Sequence, residues 1–152
     1  MGIVQATTLP DDKPTAEELP DYRILVVDDN EACAKVMMWT LEMLGYIVQM
    51  ALNGPTAIEL AKSFCPDVVL CDIGMPEMNG YEICQAMRKE PVLQNTIFAA
   101  LTGWGQKEHQ EHSKAAGFDY HLVKPVSIEA LKNFLLRLDK ARVRIGNAEC
   151  DG

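Results

Sequence analysis

Five short apolar runs, each followed by a stretch with helical spacing, alternate along this chain, and that alternation most narrows what it can fold into. Arg23-Ile-Leu-Val-Val27 is a continuous apolar run, as a strand buried on both faces requires. Tyr46–Met50, Val68–Cys71, Thr96–Leu101 and Asp119–Val123 read as the next four strands. Asp28-Asp29-Asn30 offers oxygens that can cap a first helix, which places Val36, Met37, Trp39, Thr40, Met43 and Leu44 near helical spacing and stops at Gly45. Asn53-Gly54 turns the chain, and Pro55 suits the first turn of a second helix that runs to Phe64 before Pro66. A third helix spans Tyr81 to Lys89, with Pro91 beyond it. A polar fourth helix follows Thr102-Gly-Trp-Gly105, reaches Ala116 and is closed by Gly117. Ser127 caps a fifth, to about Lys140, with Ile128, Leu131, Phe134, Leu135 and Leu138 on one face. Strict βα alternation argues for an α/β fold, a doubly wound parallel sheet covered on both faces and joined by right-handed crossovers.

The 152 residues suffice for one domain with a proper core. Residues 22–140 form that domain, between a flexible extension at 1–21, rich in Pro and acids, and a flexible tail at 141–152. The formal charge is −8, so no basic face and no nucleic-acid partner is expected; the acids suit a cation, protein partners or solubility. The five cysteines show no CxxC spacing and read as buried free thiols in a reducing compartment. No run is long enough to span a membrane and no signal peptide is evident, which together imply a cytoplasmic protein.

Polar residues follow the apolar runs at once: Asp28 and Asp29 after the first strand, Asp72 after the third, Thr102 after the fourth, Lys124 after the fifth. In an open parallel sheet the carboxyl ends of the strands face one crevice. Three carboxylates crowded there repel, so one is protonated or a cation binds. A hard divalent ion such as Mg²⁺, which accepts one or two carboxylates and keeps waters, answers that chemistry. Asp72 is then placed to attack phosphorus and form an aspartyl phosphate, with Lys124 and the metal neutralising charge and Thr102 donating to a phosphoryl oxygen.

Leu25-Val-Val-Asp-Asp-Asn30, Val69-Leu-Cys-Asp72 with Met75-Pro76 and Gly80, Ala100-Leu-Thr102 and Lys124-Pro125 together resemble the receiver domain of two-component response regulators, over residues 22 to 140. The resemblance implies a flavodoxin-like (βα)5 fold with strand order 2-1-3-4-5. It implies that Asp72 is the phosphoacceptor, that Asp29 binds Mg²⁺ directly, Asp28 mainly through a water, and Gly74 through its carbonyl. It places Lys124 on the phosphoryl group by a cis bond before Pro125. A histidine kinase or phosphotransfer domain would donate near the first helix. A downstream protein would read the face made by the fourth helix, fifth strand and fifth helix once Thr102 and the residue at His121 rearrange. Such a domain catalyses only its own phosphorylation and dephosphorylation, as a stand-alone regulator or as a module of a hybrid kinase.

Two positions depart from the common family pattern: Gly74 has no side chain to orient a hydrolytic water, and Trp104 puts a large ring at the pocket mouth. Both would lengthen the life of the acyl phosphate. His121 stands where the family usually has Tyr or Phe. Taken singly, Asp28 and Asp29 could merely cap a helix, Asp72 could start a turn, and Trp104 could pack on the fourth helix. His109 and His112 read as solvent-facing. A haloacid-dehalogenase-type aspartyl phosphatase would also use an aspartyl nucleophile, but needs a second Asp where Gly74 stands. A flavodoxin would need a phosphate-binding loop where the acids of the first loop repel one.

Overall fold

The computed structural model describes residues 22–75, 79–103 and 117–138 of the chain. The expected extension, tail and fourth helix, and with them Trp104, His109 and His112, lie outside the described residues, as do Pro76 and Met78.

Five strands form one sheet: β1 (Arg23–Val27), β2 (Ile47–Ala51), β3 (Val68–Asp72), β4 (Ile97–Thr102) and β5 (Tyr120–Val123). All neighbouring pairs are parallel and the order is β2-β1-β3-β4-β5, the doubly wound order expected. Helix α1 (Glu31–Met43) follows β1, α2 (Gly54–Phe64) follows β2, α3 (Gly80–Arg88) follows β3, and α4 (Ile128–Leu136), the last helix of the sequence reading, follows β5. A 3₁₀ turn at Pro91–Leu93 leads from α3 toward β4.

The capping chemistry explains where helices begin. Asn30, Asn53, Asn79 and Ser127 each accept a backbone N–H from the residue three positions on, at 2.8–3.1 Å. Asn79 completes a capping box with Glu82. Asn53 therefore caps α2 rather than merely turning the chain.

Two apolar clusters cover the two faces of the sheet. Ile24, Val26, Leu70, Ala99 and Leu101 point toward α1 and α4. Leu25, Val27, Val69, Phe98 and Ala100 point toward α2 and α3. The alternation of neighbours along each strand between the two clusters is the period-two signature of a sheet buried on both sides.

The strand and helix ends differ from the sequence reading by one residue in several places: β2 and β4 start and end one residue later, β3 includes Asp72, and β5 starts at Tyr120. The apolar face of α1 is a larger correction. Ala34 and Leu41 carry its burial, with Met37, Met38 and Leu44 packed beside them, whereas Val36, Trp39 and Met43 are 59%, 54% and 81% exposed. The helix carries two apolar stripes, and the small Ala34 marks the inner one. Met75, in the loop after β3, is buried in the core. Cys71 and Cys84 are buried free thiols as expected, and burial pushes the Cys84 thiol up to about 12. Cys33 is exposed and Cys65 is disulfide-bonded, so free burial is not general.

Candidate phosphoacceptor and metal site

The parallel register brings the acidic residues together. Val27 pairs with Cys71, so the next residues, Asp28 and Asp72, leave adjacent strands side by side. Asp72 lies opposite Leu101, one residue before Thr102. Thr102 pairs with Val123, and its carbonyl accepts the Lys124 N–H at 2.8 Å. Four strand ends therefore deliver Asp28, Asp72, Thr102 and Lys124 to one edge, as the crevice of an open parallel sheet requires.

Asp28, Asp29 and Asp72 each offer a carboxylate oxygen, and the three lie within 4.8 Å of one another. Helix capping does not account for them, because Asn30 caps α1. Asp28 is 3% exposed and accepts the Asn30 N–H through Oδ1 at 3.0 Å, while Asp29 is exposed. Asp72 accepts the Gly74 N–H through Oδ1 at 2.9 Å, which fixes the carboxylate and the loop beneath it. A side chain at position 74 would start in contact with that oxygen, since a Cβ there would lie 3.6 Å from it. An all-oxygen set with several negative charges suits a hard divalent cation.

Lys124 Nζ donates to Asp72 Oδ2 at 3.0 Å and to Asp28 Oδ2 at 3.4 Å. The Lys124–Pro125 peptide is cis. Burial pushes the Asp28 carboxyl up, and Asp72 adds to this, while the Asn30 N–H and Lys124 oppose it. Burial works to lower Lys124, but its bonds and charge contacts with Asp72, then Asp28, outweigh this and raise it. The ammonium thus bridges the two carboxylates and opposes the push of burial on Asp28.

Gly80 closes the loop from below. Its N–H donates to the Ile73 carbonyl at 3.4 Å, and a Cβ on it would fall 2.7 Å from Ile73 Cα and 2.9 Å from the Asp72 carbonyl oxygen. The helix that follows can approach Asp72 this closely only with glycine there. Gly80 stood in the sequence motif without a role, and the contact supplies one.

His121 pairs with Ala100 on the edge strand β5 and is half-buried. By strand alternation it shares a sheet face with Thr102, away from Leu122, which packs on the opposite cluster. A groove of about 510 Å³ that the sequence did not disclose runs from the acidic site along α1, lined by Asp28, Cys33, Val36, Thr40, Lys124 and Val126 among others.

The sequence profile of the response regulator receiver domain matches residues 24–136. The chain is 30% identical over 116 residues to the polar-differentiation response regulator DivK of Brucella anthropi, covering 74% of this chain and 94% of that protein. It is 35% identical over 133 residues to the signal transduction histidine-protein kinase BarA of Escherichia coli K12, covering 88% of this chain and 14% of the kinase. The chain spans less than half the length of several curated relatives it matches. Among solved structures, the Vibrio cholerae chemotaxis protein CheY4 superposes with a TM-score of 0.75 at 32% identity, covering 78% of this chain and 99% of that one. The receiver domain of the sensor histidine kinase PA1611 from Pseudomonas aeruginosa PAO1, solved with a magnesium ion coordinated in its active-site cleft, superposes at 0.70 with 28% identity, covering 77% and 96%. These matches do not support an aspartyl phosphatase of the dehalogenase type, and the chain belongs to the response regulator receiver domain family of two-component signalling.

Proposed function

We propose that Asp72 is the phosphoacceptor of this receiver domain and that Asp28, Asp29, Asp72 and the Gly74 carbonyl hold the Mg²⁺ that its phosphorylation needs. The observation that carries the reading is the convergence of three carboxylates within 4.8 Å with a lysine 3.0 Å from one of them, at the ends of separate strands. An Asp72 carboxylate oxygen forms a new O–P bond while the P–N bond to a donor phosphohistidine, or the P–O bond to acetate in acetyl phosphate, breaks. The departing imidazole takes up a proton and acetate leaves as the anion. Mg²⁺, when bound, supplies positive charge to the phosphoryl oxygens. Lys124 shifts from Asp72 to the phosphoryl group, Thr102 donates its hydroxyl to a phosphoryl oxygen, and His121 follows on the shared face.

The activity is self-directed: the domain promotes its own phosphorylation and dephosphorylation. A histidine kinase or phosphotransfer domain approaches along the outer stripe of α1, where Val36 lines the groove that leads to Lys124 and Trp39 is exposed one turn on. Exposed contiguous apolar side chains next to a reactive site suit a protein partner. The downstream protein reads the face around β5 and α4, where Tyr120, Val123 and Ile128 are exposed. Among the described residues no helix is long and apolar enough to cross a membrane. We assign residues 22–140 to the domain, with 1–21 and 141–152 as extensions.

Incubation with acetyl phosphate tests the reading. The chain should gain one phosphoryl group in Mg²⁺ and none in EDTA. Equal labelling without a divalent cation overturns the metal assignment.

A further inference from the structure

The groove beside the acidic site has two unlike ends. At one end stand Asp28 and Lys124, which flank the Asp72 carboxylate: Lys124 Nζ lies 3.0 Å from Asp72 Oδ2 and 3.4 Å from Asp28 Oδ2. Beyond them the lining turns apolar. Met37 of α1, Val126 and the fully buried Leu101 and Leu131 line it. Thr40 also lines it, but its hydroxyl donates to the Val36 carbonyl at 2.8 Å and so offers the groove little polarity. The volume of about 510 Å³ is in the range that small-molecule sites occupy.

A ligand that matches both ends carries an anionic head and an uncharged apolar tail. The head suits Lys124 and the cation that the three carboxylates call for, and the tail suits the rest of the groove. Asp72 itself does not line the groove. A phosphoryl group against its carboxylate and Lys124 therefore keeps its own place while the remainder of the donor extends away from the nucleophile, as an in-line displacement requires. Acetyl phosphate has only a methyl group to place there and leaves the apolar walls unused.

We propose that the groove seats the acyl chain of a medium-chain acyl phosphate, so that the domain takes such donors in preference to acetyl phosphate. The inference rests on the phosphoacceptor reading above and names a substrate class for that site. An Asp72 carboxylate oxygen forms the new O–P bond, the P–O bond to the acyl group breaks, and the fatty carboxylate leaves as the anion with the bonding electron pair. No proton moves. The chain is bound equally before and at the transition state, so it raises the rate constant per molar donor and not the saturated rate. A methylene withdrawn wholly from water gives about fourfold. Val36, 59% exposed, leaves the groove open on one side, so each methylene should give about twofold.

Intact-mass labelling of the full chain in Mg²⁺, with acetyl, butyryl and hexanoyl phosphate at equal subsaturating concentrations, tests this. The three carboxylates are leaving groups of nearly equal basicity, so the ratio of rates reads the chain and not the chemistry. The wild type should label about tenfold faster with hexanoyl than with acetyl phosphate, with butyryl phosphate between them. Met37→Gln, which keeps the side chain's length but adds an amide to the wall, should cut that ratio about threefold. Thr40→Val, which replaces a hydroxyl with a methyl group, should raise it. Any loss common to both donors, including a loss of folded protein, cancels in the ratio. A wild-type ratio near one overturns the proposal and leaves the groove to a protein donor alone. A high ratio that neither variant moves in its stated direction also overturns it, because the chain then binds elsewhere. Absence of any mass gain with all three donors overturns the phosphoacceptor reading, and the inference with it.

Discussion

Replacing Asp28 with Asn should stabilise the metal-free chain and weaken its response to Mg²⁺. At an effective dielectric constant of about 20, two unit charges 4.8 Å apart repel by about 3.5 kcal/mol. Asp28 meets two such charges, Asp29 and Asp72, and one opposite charge, Lys124 at 3.4 Å, which returns about 5 kcal/mol on the same scale. The balance is a net repulsion of about 2 kcal/mol, which water around the exposed Asp29 reduces to about 1 kcal/mol. Asn preserves the Oδ1 acceptor for the Asn30 N–H, and Lys124 keeps Asp72 at 3.0 Å, so the substitution removes mainly charge. A gain of about 1 kcal/mol corresponds to about 4 °C in Tm for a domain of this size. Mg²⁺ at a hundredfold excess over Kd should stabilise the wild type by about 2.7 kcal/mol and the variant by much less, so the order of the two Tm values inverts. Because burial raises the Asp28 pKa above 3.8, its contribution to wild-type stability is present below that value and lost as pH rises through the folded pKa. The gap between variant and wild type in EDTA should therefore be absent in acid and full at neutral pH. Thermal denaturation followed by circular dichroism, in EDTA and in Mg²⁺, reads all of this. A variant less stable than wild type in EDTA at neutral pH, or one that keeps the full Mg²⁺ shift, refutes the reasoning.

Gly80→Ala must push a Cβ against the Asp72–Ile73 backbone, so it should cost about 1–3 kcal/mol in urea denaturation and slow labelling by acetyl phosphate. Trp104→Ala should shorten the life of the phosphorylated form, measured as decay after removal of phosphodonor. Slower decay than wild type would sink the shielding role. Val36→Ser with Trp39→Ser should slow phosphotransfer from a phosphohistidine donor about tenfold or more while leaving labelling by acetyl phosphate unchanged, because only the protein donor needs the outer stripe of α1.

The sheet was legible because β1, β3 and β4 are buried on both faces, so Ile24–Val27, Val68–Cys71 and Ile97–Leu101 had to be nearly all apolar. Polar residues at their carboxyl ends were equally visible, since Asp28, Asp72 and Thr102 interrupt those runs. What the runs could not carry was three-dimensional. Trp39 and Met43 look like core by spacing, yet Ala34 and Leu41 face the sheet, and two apolar stripes on one helix cannot be ranked by periodicity alone. Asn53-Gly54 has the composition of a turn, and only the bond from the Thr56 N–H to Asn53 Oδ1 marks it as a cap. The hydrogen-bond acceptors of Arg88, from Gln94 to Asp119, lie 6 to 31 residues away, so no local pattern signals that this arginine joins two strand entries. The disulfide at Cys65 has no spacing signature either.

A single carboxylate, that of Asp72, held by Lys124 and the Gly74 N–H, is the proposed receiver of the phosphoryl group. Intact-mass spectrometry after incubation with acetyl phosphate and Mg²⁺, on the wild type and on Asp72→Asn, tests it most directly. One phosphoryl group should add to the wild type and none to the variant, with both folded by circular dichroism. Undiminished labelling of Asp72→Asn would contradict it.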